Sequence, residues 1–188
     1  AISRTVADQL IEFGALASDV VVIPNGIAVE RPAVEAPRSE DLLVLARHDA
    51  NKNLEGLLRA MAGVQRLLPQ WRGTLRIVGR ESRLTPGLKL LVAQLPKPDQ
   101  VQWVASLTRE ELLSQLRSSL ALVSASTEEG FDYPVLEAKA EGLPTLISDI
   151  SVHREFHNGS SLFFPIDDNG ESLAAHLKGL CSGDSSWK

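Results

Sequence analysis

Residues 42–78 decide the fold class, and they read LLVLARHDANKNLEGLLRAMAGVQRLLPQWRGTLRIV. The segment begins with an apolar run at 42–46 and ends with a second one at 75–78. Between the two runs, apolar residues recur at the spacing of one helix face: Leu54, Leu57, Leu58, Met61, Val64 and Leu68. A strand, a helix and a second strand in this order predict a β-α-β unit and hence a parallel sheet.

The same alternation continues along the rest of the chain. The pattern predicts a helix near 87–95, a strand at 101–104, a helix from Thr108, a strand at 120–124, a helix at 134–141, strands at 145–148 and 162–164, and a final helix at 171–180. The predicted strands are apolar throughout, which is typical of a parallel sheet buried on both faces. We therefore predict an α/β fold, a Rossmann-like doubly wound parallel sheet, in which ligands bind outside the carboxyl ends of the strands.

Three simpler segments precede residue 41. Apolar residues at helical spacing follow Ser3, which is a suitable N-cap, and Gly14 lies near the predicted end of this first helix. The β-branched run at 20–23 predicts a buried strand that enters a Pro-Asn-Gly turn at 24–26. Residues 28–40 contain two prolines and no periodicity, so we interpret them as a linker.

Composition excludes several classes of protein. The chain has 188 residues, of which 44% are hydrophobic and 23% charged, so we expect one folded domain. Its apolar runs are far shorter than the roughly 20 residues of a membrane-spanning helix. The net charge of −5 gives no general attraction for nucleic acids, and the single cysteine excludes an internal disulfide. Because the chain starts at Ala1 and its one methionine is Met61, we expect a domain excised from a longer protein.

Two cations follow the first strand of the predicted sheet. Arg47 and Lys52 come after the run at 42–46 and before a predicted helix, which is the outline of an anion site. The alternative interpretation is a pair of solvated surface cations, because Lys and Arg side chains are mostly exposed.

A carboxylate-rich segment follows the strand at 120–124. Glu129 lies in the loop and Glu137 lies near the first turn of the next helix, so both can face one crevice and bind hydroxyl groups. Gly130 permits a close approach of the backbone to a ligand, and the helix start at Pro134 leaves N–H groups unpaired. The alternative is a solvated loop with Glu137 favoured by the positive helix N-terminus.

The run at 129–138, EGFDYPVLEA, followed by Gly142-Leu143-Pro144, resembles the E-G-F-G-L-P-x-x-E-A…G-x-P signature of retaining GT-B glycosyltransferases of family 4, the glycosyl transferases group 1. Further positions resemble the family in the same order along the chain: the I-P-N-G turn at 23–26, Arg47, Lys52 with Asn53, Gly79 after the strand at 75–78, Ser148-Asp149 and Glu155. The resemblance covers essentially the whole chain.

The resemblance implies the nucleotide-sugar-binding C-terminal half of a GT-B fold. Residues 41–188 would be this donor-binding domain, and residues 1–40 the junction with an N-terminal acceptor domain, plus linker. The parent enzyme would be a hexosyltransferase that moves a sugar from a nucleoside diphosphate to an acceptor hydroxyl in glycan or polysaccharide synthesis, in the cytoplasm at the inner face of the membrane. The isolated domain would be inactive, and no cofactor or metal would be needed.

The resemblance also implies roles for single residues. Arg47 and Lys52 would neutralise the donor diphosphate, Glu129 would meet the transferred sugar, and Glu137 would bind the ribose hydroxyls. The catalytic candidates are Arg47, Lys52 and Glu129, and the donor-binding candidates are Gly130, Phe131, Asp132, Tyr133, Pro134, Val135 and Glu137. Asp132 stands where the signature has its second glycine, which would add a carboxylate beside the diphosphate.

Two alternatives to a transferase remain open: a non-catalytic nucleotide-sugar-binding or scaffolding module, and an epimerase or phosphorylase of the same fold. Two weaker features of the sequence support neither of these alternatives. His153 and His157 have the spacing of metal ligands on a helix but no third ligand, so we expect surface histidines. Five cations at 72, 76, 80, 83 and 89 form a basic stretch that could contact a membrane surface or acceptor anions, and we expect it to be solvated.

Overall fold

The computed structural model describes residues 1–28 and 38–183, in which strands and helices alternate. The strands are β1 (Leu42–Leu45), β2 (Leu75–Val78), β3 (Val101–Val104), β4 (Ala121–Ser124), β5 (Thr145–Ser148) and β6 (Leu162–Phe164). The helices are α1 (Arg4–Glu12), α2 (Leu54–Leu67), α3 (Thr85–Val92), α4 (Arg109–Ser118), α5 (Tyr133–Ala140), α6 (Ser151–His157) and α7 (Glu171–Cys181).

All six strands lie in one parallel sheet with the order β3-β2-β1-β4-β5-β6. Leu42 of β1 pairs with Leu75 on one side and with Ala121 of β4 on the other. The chain therefore reverses its direction of winding between β1 and β4, and a crevice opens at such a switch point in doubly wound folds. The predicted fold class is confirmed.

Helices cover both faces of the sheet, as the apolar strands require. On one face, α2, α3 and α7 form a core with side chains such as Leu57, Met61 and Leu177. On the other face, α4 and α5 contribute Leu116 and Val135 to a second core. The loops that follow the strands therefore extend from the edge of a sheet whose two faces are both covered by helices.

Gly79 brings the carboxyl ends of β1 and β2 close together. A Cβ atom at this position would lie 1.9 Å from the carbonyl oxygen of Ala46, so no larger residue fits without moving the backbone. The Gly79 amide continues the ladder by donating to Val104 at 2.9 Å. Glycine is therefore required at position 79 for steric reasons.

α1 docks on α6 through its N-terminus. The predicted cap is confirmed, because the Ser3 hydroxyl accepts from the Val6 amide at 3.1 Å. The Glu155 carboxylate of α6 accepts from the amides of Arg4 and Thr5 at 2.8 and 3.2 Å. These amides are among the unpaired donors of a helix start, so Glu155 satisfies groups that α1 itself cannot.

One prediction about local structure is wrong, and one helix was not predicted. Residues 20–23 are extended but form no strand, and Val21 and Ile23 are exposed. The Ala1 carbonyl accepts from the Ile23 amide, and the Ala1 ammonium donates to the Val21 carbonyl. In the described ranges no strand lies beside residues 20–23. α6 lies in a segment for which we predicted no helix. Residues 29–37, most of the predicted linker, lie outside the described residues.

Candidate functional site at the sheet switch point

The loops after β1 and β4 meet at the switch point and are joined by hydrogen bonds. The Thr127 amide donates to the Asn51 carbonyl at 2.9 Å, and the Asn51 side chain donates to the Glu128 carbonyl at 3.3 Å. The two segments that the sequence singled out, one cationic and one acidic, therefore form one rim of the crevice.

Lys52 and Glu129 form an ion pair within this rim. The Lys52 ammonium donates to Glu129 Oε1, and the Ser126 hydroxyl donates to the same oxygen at 2.7 Å. The side chains are only 20% and 11% exposed, so the pair is partly shielded from water. Two residues expected to contact different parts of a donor are thus in direct contact with each other.

Arg47 lies apart from that pair. Its guanidinium contacts the Asp49 carboxylate at 3.1 Å and is 72% exposed. The structure therefore places Arg47 on the solvent side of the loop after β1.

Glu137 lies on α5 and is half-buried. Burial raises the pKa of its carboxyl above the ordinary value, and the positive charge of Arg109 opposes that rise. Arg109 was not among the predicted site residues. Thr108 and Glu111 form a capping box, which starts α4 at Arg109 beyond the end of β3. The Thr108 and Glu111 spacing marks a helix start just after a strand of the sheet, and this signal could have pointed to Arg109.

The segment between the two glutamates offers mainly backbone to a ligand. Phe131 and Val135 are buried, and the Phe131 ring packs edge-on against Phe156 and Tyr133. Tyr133 is exposed, and Pro134 is half-buried at the start of α5. Gly130 lies under Ile2, since a Cβ there would be 3.0 Å from the Ile2 side chain.

Asp132 turns its carboxylate inward, away from where a diphosphate was expected. Oδ2 accepts from the Ser124 hydroxyl at 2.6 Å and contacts His153 Nε2 at 2.9 Å. The side chains of Asp132 and His153 are only 1% and 0% exposed. Burial favours the neutral acid, but the hydrogen bonds from His153 and Ser124 and the charge of Lys52 hold the pKa of Asp132 below its ordinary value. The carboxylate is therefore an internal group of the fold.

The prediction that His153 and His157 are surface histidines is wrong, because both are buried. His157 Nδ1 contacts the Lys139 ammonium at 3.3 Å. Burial, together with that ammonium, lowers the pKa of His157 to about 4. His157 is therefore a neutral imidazole at pH 7.

Other features flagged in the sequence lie elsewhere or are paired. In the basic stretch, Arg76 lies 3.9 Å from Asp41 and Lys89 contacts Glu81 at 2.7 Å.

A cleft of about 560 Å³ lies between α2 and α3, but Glu129 and Glu137 do not line it. Over residues 1–28 and 38–183, no three His, Cys, Asp or Glu side chains converge as metal ligands would. Within the same ranges no helix has the length and apolar character to cross a membrane.

Curated relatives of this chain include mannosyltransferases. A curated relative, the GDP-mannose:cellobiosyl-diphosphopolyprenol alpha-mannosyltransferase of Xanthomonas campestris, is 33% identical over 132 residues, which are 69% of this chain and 34% of that protein. The chain thus spans about a third of the length of the curated relative.

Solved structures share the fold at low sequence identity. The structure of a glycosyltransferase from Rickettsia africae matches 100% of this chain and 55% of its own, with a TM-score of 0.78 and 20% identity. The pneumococcal O-GlcNAc transferase GtfA in complex with UDP and GlcNAc matches 98% of this chain and 38% of its own, with a TM-score of 0.76 and 19% identity.

The family model described as glycosyl transferases group 1 matches residues 29–185, which is most of the chain. With the switch-point site and the relatives above, the expectation of a glycosyltransferase is confirmed at the level of the family: the chain belongs to the glycosyl transferases group 1.

Proposed function

We propose that this chain binds the nucleoside diphosphate sugar of a retaining transferase, and that the protein to which it belongs passes the sugar to an acceptor hydroxyl in glycan synthesis. We base the proposal on one observation above all. Lys52, Glu129 and Glu137 come from three different segments and lie at the carboxyl edge of the sheet, beside the switch point between β1 and β4. Ligands of doubly wound folds bind at that place.

The charge at this edge fits the leaving group of such a reaction. When the bond between the sugar C1 and the diphosphate breaks, negative charge builds on phosphate oxygens, while the acceptor oxygen bonds to C1 and passes its proton to a departing phosphate oxygen. The Lys52 ammonium and the exposed Arg47 guanidinium are in place before the bond breaks and would stabilise that charge. This arrangement needs no metal ion.

The remaining roles follow from position. We assign the ribose hydroxyls to Glu137, which is half-buried on α5, because a carboxylate accepts two hydrogen bonds from a diol. Glu129, in the loop itself, is assigned to the transferred sugar. Since the side chains of Phe131, Asp132 and Val135 are buried, this segment would contribute through its backbone.

We further propose GDP-mannose as the donor. The support is the relative that is 33% identical over 69% of the chain, whose name specifies GDP-mannose, and a second relative, 28% identical over 78% of the chain, that is named a mannosyltransferase. Residues 41–188 would form the donor domain, residues 1–40 the junction with an acceptor domain, and the parent enzyme would work at the inner face of the membrane.

Isothermal titration of the 188-residue chain with GDP, UDP and ADP tests the proposal. We expect GDP to bind more tightly than the other two and GDP-mannose to bind comparably to GDP. Tighter binding of UDP would overturn the choice of donor but keep the transferase. Binding of none of the three at millimolar concentration would favour the scaffolding alternative.

A further inference from the structure

The backbone at Asp132 has a conformation that L-residues adopt rarely. Its φ is 59° and its ψ is 70°, in the left-handed region, and it directly precedes the first residue of α5. Glycine reaches this region without a steric penalty, whereas a residue with a Cβ must be held there by its surroundings. Asp132 stands where the resembled signature has glycine, and its own side chain supplies such an interaction.

The Asp132 side chain is anchored in the interior. Its Oδ2 accepts from Ser124 at the end of β4 and from His153 on α6, at 2.6 and 2.9 Å. Both partners belong to regular secondary structure rather than to loops. The carboxylate therefore ties the loop between β4 and α5 to a strand on one side and to a helix on the other.

The His153 ring faces an acceptor at each nitrogen. Nε2 faces the Asp132 carboxylate, and Nδ1 faces the Ser148 carbonyl oxygen at 2.8 Å. The Ser148 hydroxyl, 3.3 Å from Nδ1, already donates its hydrogen to the Ser126 carbonyl and is also an acceptor for the ring. Since a carbonyl and a carboxylate only accept, both ring nitrogens donate, and the ring is an imidazolium paired with Asp132.

The charges around this pair come from three elements. Lys52, in the loop after β1, attracts the Asp132 carboxylate from the crevice side. His157 lies one turn further along α6, with its ring centroid 6.2 Å from that of His153. Lys139 of α5 contacts His157 rather than His153. With His157 neutral, the nearest charge to the imidazolium is the Asp132 carboxylate.

We propose that Asp132 and His153 are positioning residues: their buried ion pair holds the loop at 129–132 and the start of α5 in the conformation that binds the donor. The inference rests on the proposed function, because it concerns the loop assigned to the donor. Neither side chain touches the donor. The pair replaces the backbone freedom of a glycine with a fixed hydrogen-bonded anchor.

A test without any ligand comes first. In ¹⁵N-labelled protein at pH 7, the ring of His153 should show two protonated nitrogens. Asp132→Asn, which keeps the size of the side chain and tolerates the left-handed region, should shift the backbone amide signals of residues 129–133. A singly protonated ring, or loop signals unchanged in Asp132→Asn, would overturn the inference whether or not the chain binds nucleotides.

A binding test measures the positioning itself. Well below the melting temperature of each variant, Asp132→Asn and His153→Gln should weaken GDP binding at least fivefold. The control His176→Gln changes a half-buried histidine of α7 that contacts the Phe163 carbonyl, and it should stay within twofold. The double variant Asp132→Gly/His153→Leu, which restores glycine and removes the unpaired cation, should recover binding to within threefold of the original chain.

The outcomes separate the two proposals. A purely structural pair would lower the melting temperatures and leave GDP affinity unchanged in both single variants, which would overturn positioning. If the original chain itself binds no nucleoside diphosphate, the proposed function fails, and the ring and loop signals still decide whether the pair holds the loop. If His153→Gln does not fold, Asp132→Asn and the ring signals carry the test.

Discussion

Lys52 and Glu129, which lie 77 residues apart in the chain, share a hydrogen-bonded ion pair across the switch point of the sheet. The ammonium that would bind the donor diphosphate is therefore already balanced by a carboxylate. A bare nucleoside diphosphate must compete with Glu129 for Lys52. Since the pair is partly shielded, the competition costs more than it would at an open surface.

Removing the charge of Glu129 should therefore strengthen the binding of the bare nucleotide. We expect Glu129→Gln to bind GDP about fivefold more tightly, because about 1 kcal/mol of ion pairing no longer has to be lost. Titration calorimetry against the exposed neighbour variant Glu128→Gln provides the comparison. Equal GDP affinities in the two variants would show that Lys52 does not reach the diphosphate.

Arg47 should contribute to binding without contributing to the fold. Its side chain is 72% exposed, so we expect Arg47→Ala to leave the free energy of unfolding unchanged and to weaken GDP binding by about 1.5–3 kcal/mol, the scale of a hydrogen bond between charged groups. Arg59→Ala is the matched control, since Arg59 forms a similarly exposed pair with Glu55 on α2. GDP binding of Arg47→Ala equal to that of Arg59→Ala would identify Arg47 as an ordinary surface cation.

Glu137 should affect the nucleotide and the nucleotide sugar equally. Glu137→Gln loses the charged acceptor for the ribose hydroxyls, and we expect GDP and GDP-mannose to bind about 1–3 kcal/mol more weakly. Because the pKa of Glu137 is raised, its charge is lost earlier than usual as the pH falls. Affinity should therefore decrease on acidification in the original chain and much less in Glu137→Gln. The exposed variant Glu110→Gln should keep the original pH dependence, and a loss confined to GDP-mannose would contradict the ribose assignment.

His157 should make the protein less stable in acid. The unfolded chain binds a proton at this residue below its ordinary pKa of 6.5, but the folded chain does so only near pH 4. The stability from the buried neutral ring is fully present above pH 6.5 and is lost as the pH falls towards 4, by about 2–3 kcal/mol. Urea unfolding at pH 7 and pH 4.5 should show a smaller loss for His157→Phe than for the original chain. An identical loss in both would mean that the ring is protonated in the folded state.

Gly79 should be intolerant of even one methyl group. Gly79→Ala places a Cβ against the Ala46 carbonyl, and we expect a loss of about 3 kcal/mol or more in the free energy of unfolding. Gly87→Ala lies in α3 with no atom within 4 Å of the new Cβ, and it should instead stabilise the chain by about 0.5–1 kcal/mol. Thermal unfolding of the two variants measures both effects, and similar melting temperatures would contradict the close approach of β1 and β2.

The sheet could be predicted because its strands are short apolar runs, most of them separated by helical patterns, and such runs are typical of parallel strands buried on both faces. The run at 20–23 has the same local preference but lacks a neighbouring strand in the described ranges, and β propensity alone does not make a strand. α6 was missed for a different reason. Its buried face is formed by Val152, His153, Phe156 and His157, and two polar imidazoles hide the helical period.

The site could be predicted only in part, for a related reason. Position after a strand indicated Lys52 and Glu129 as candidates, because parallel strands end at one edge of the sheet, and the family resemblance supplied their expected roles. Their contact depends on the conformations of two loops and has no local signature. The inward turn of Asp132 depends on a histidine 21 residues away in a helix that the pattern did not reveal.

α6 holds α1 with Glu155 and the loop before α5 with His153, and these two side chains are two positions apart on one short helix. A shift of α6 that loosens one contact is therefore transmitted to the other. Linkage then acts in both directions: a ligand that binds more tightly when the loop is held must favour the docked position of α1 by the same factor. Residues 1–12 would thus carry a coupling free energy to the crevice, where Ile2 already covers Gly130.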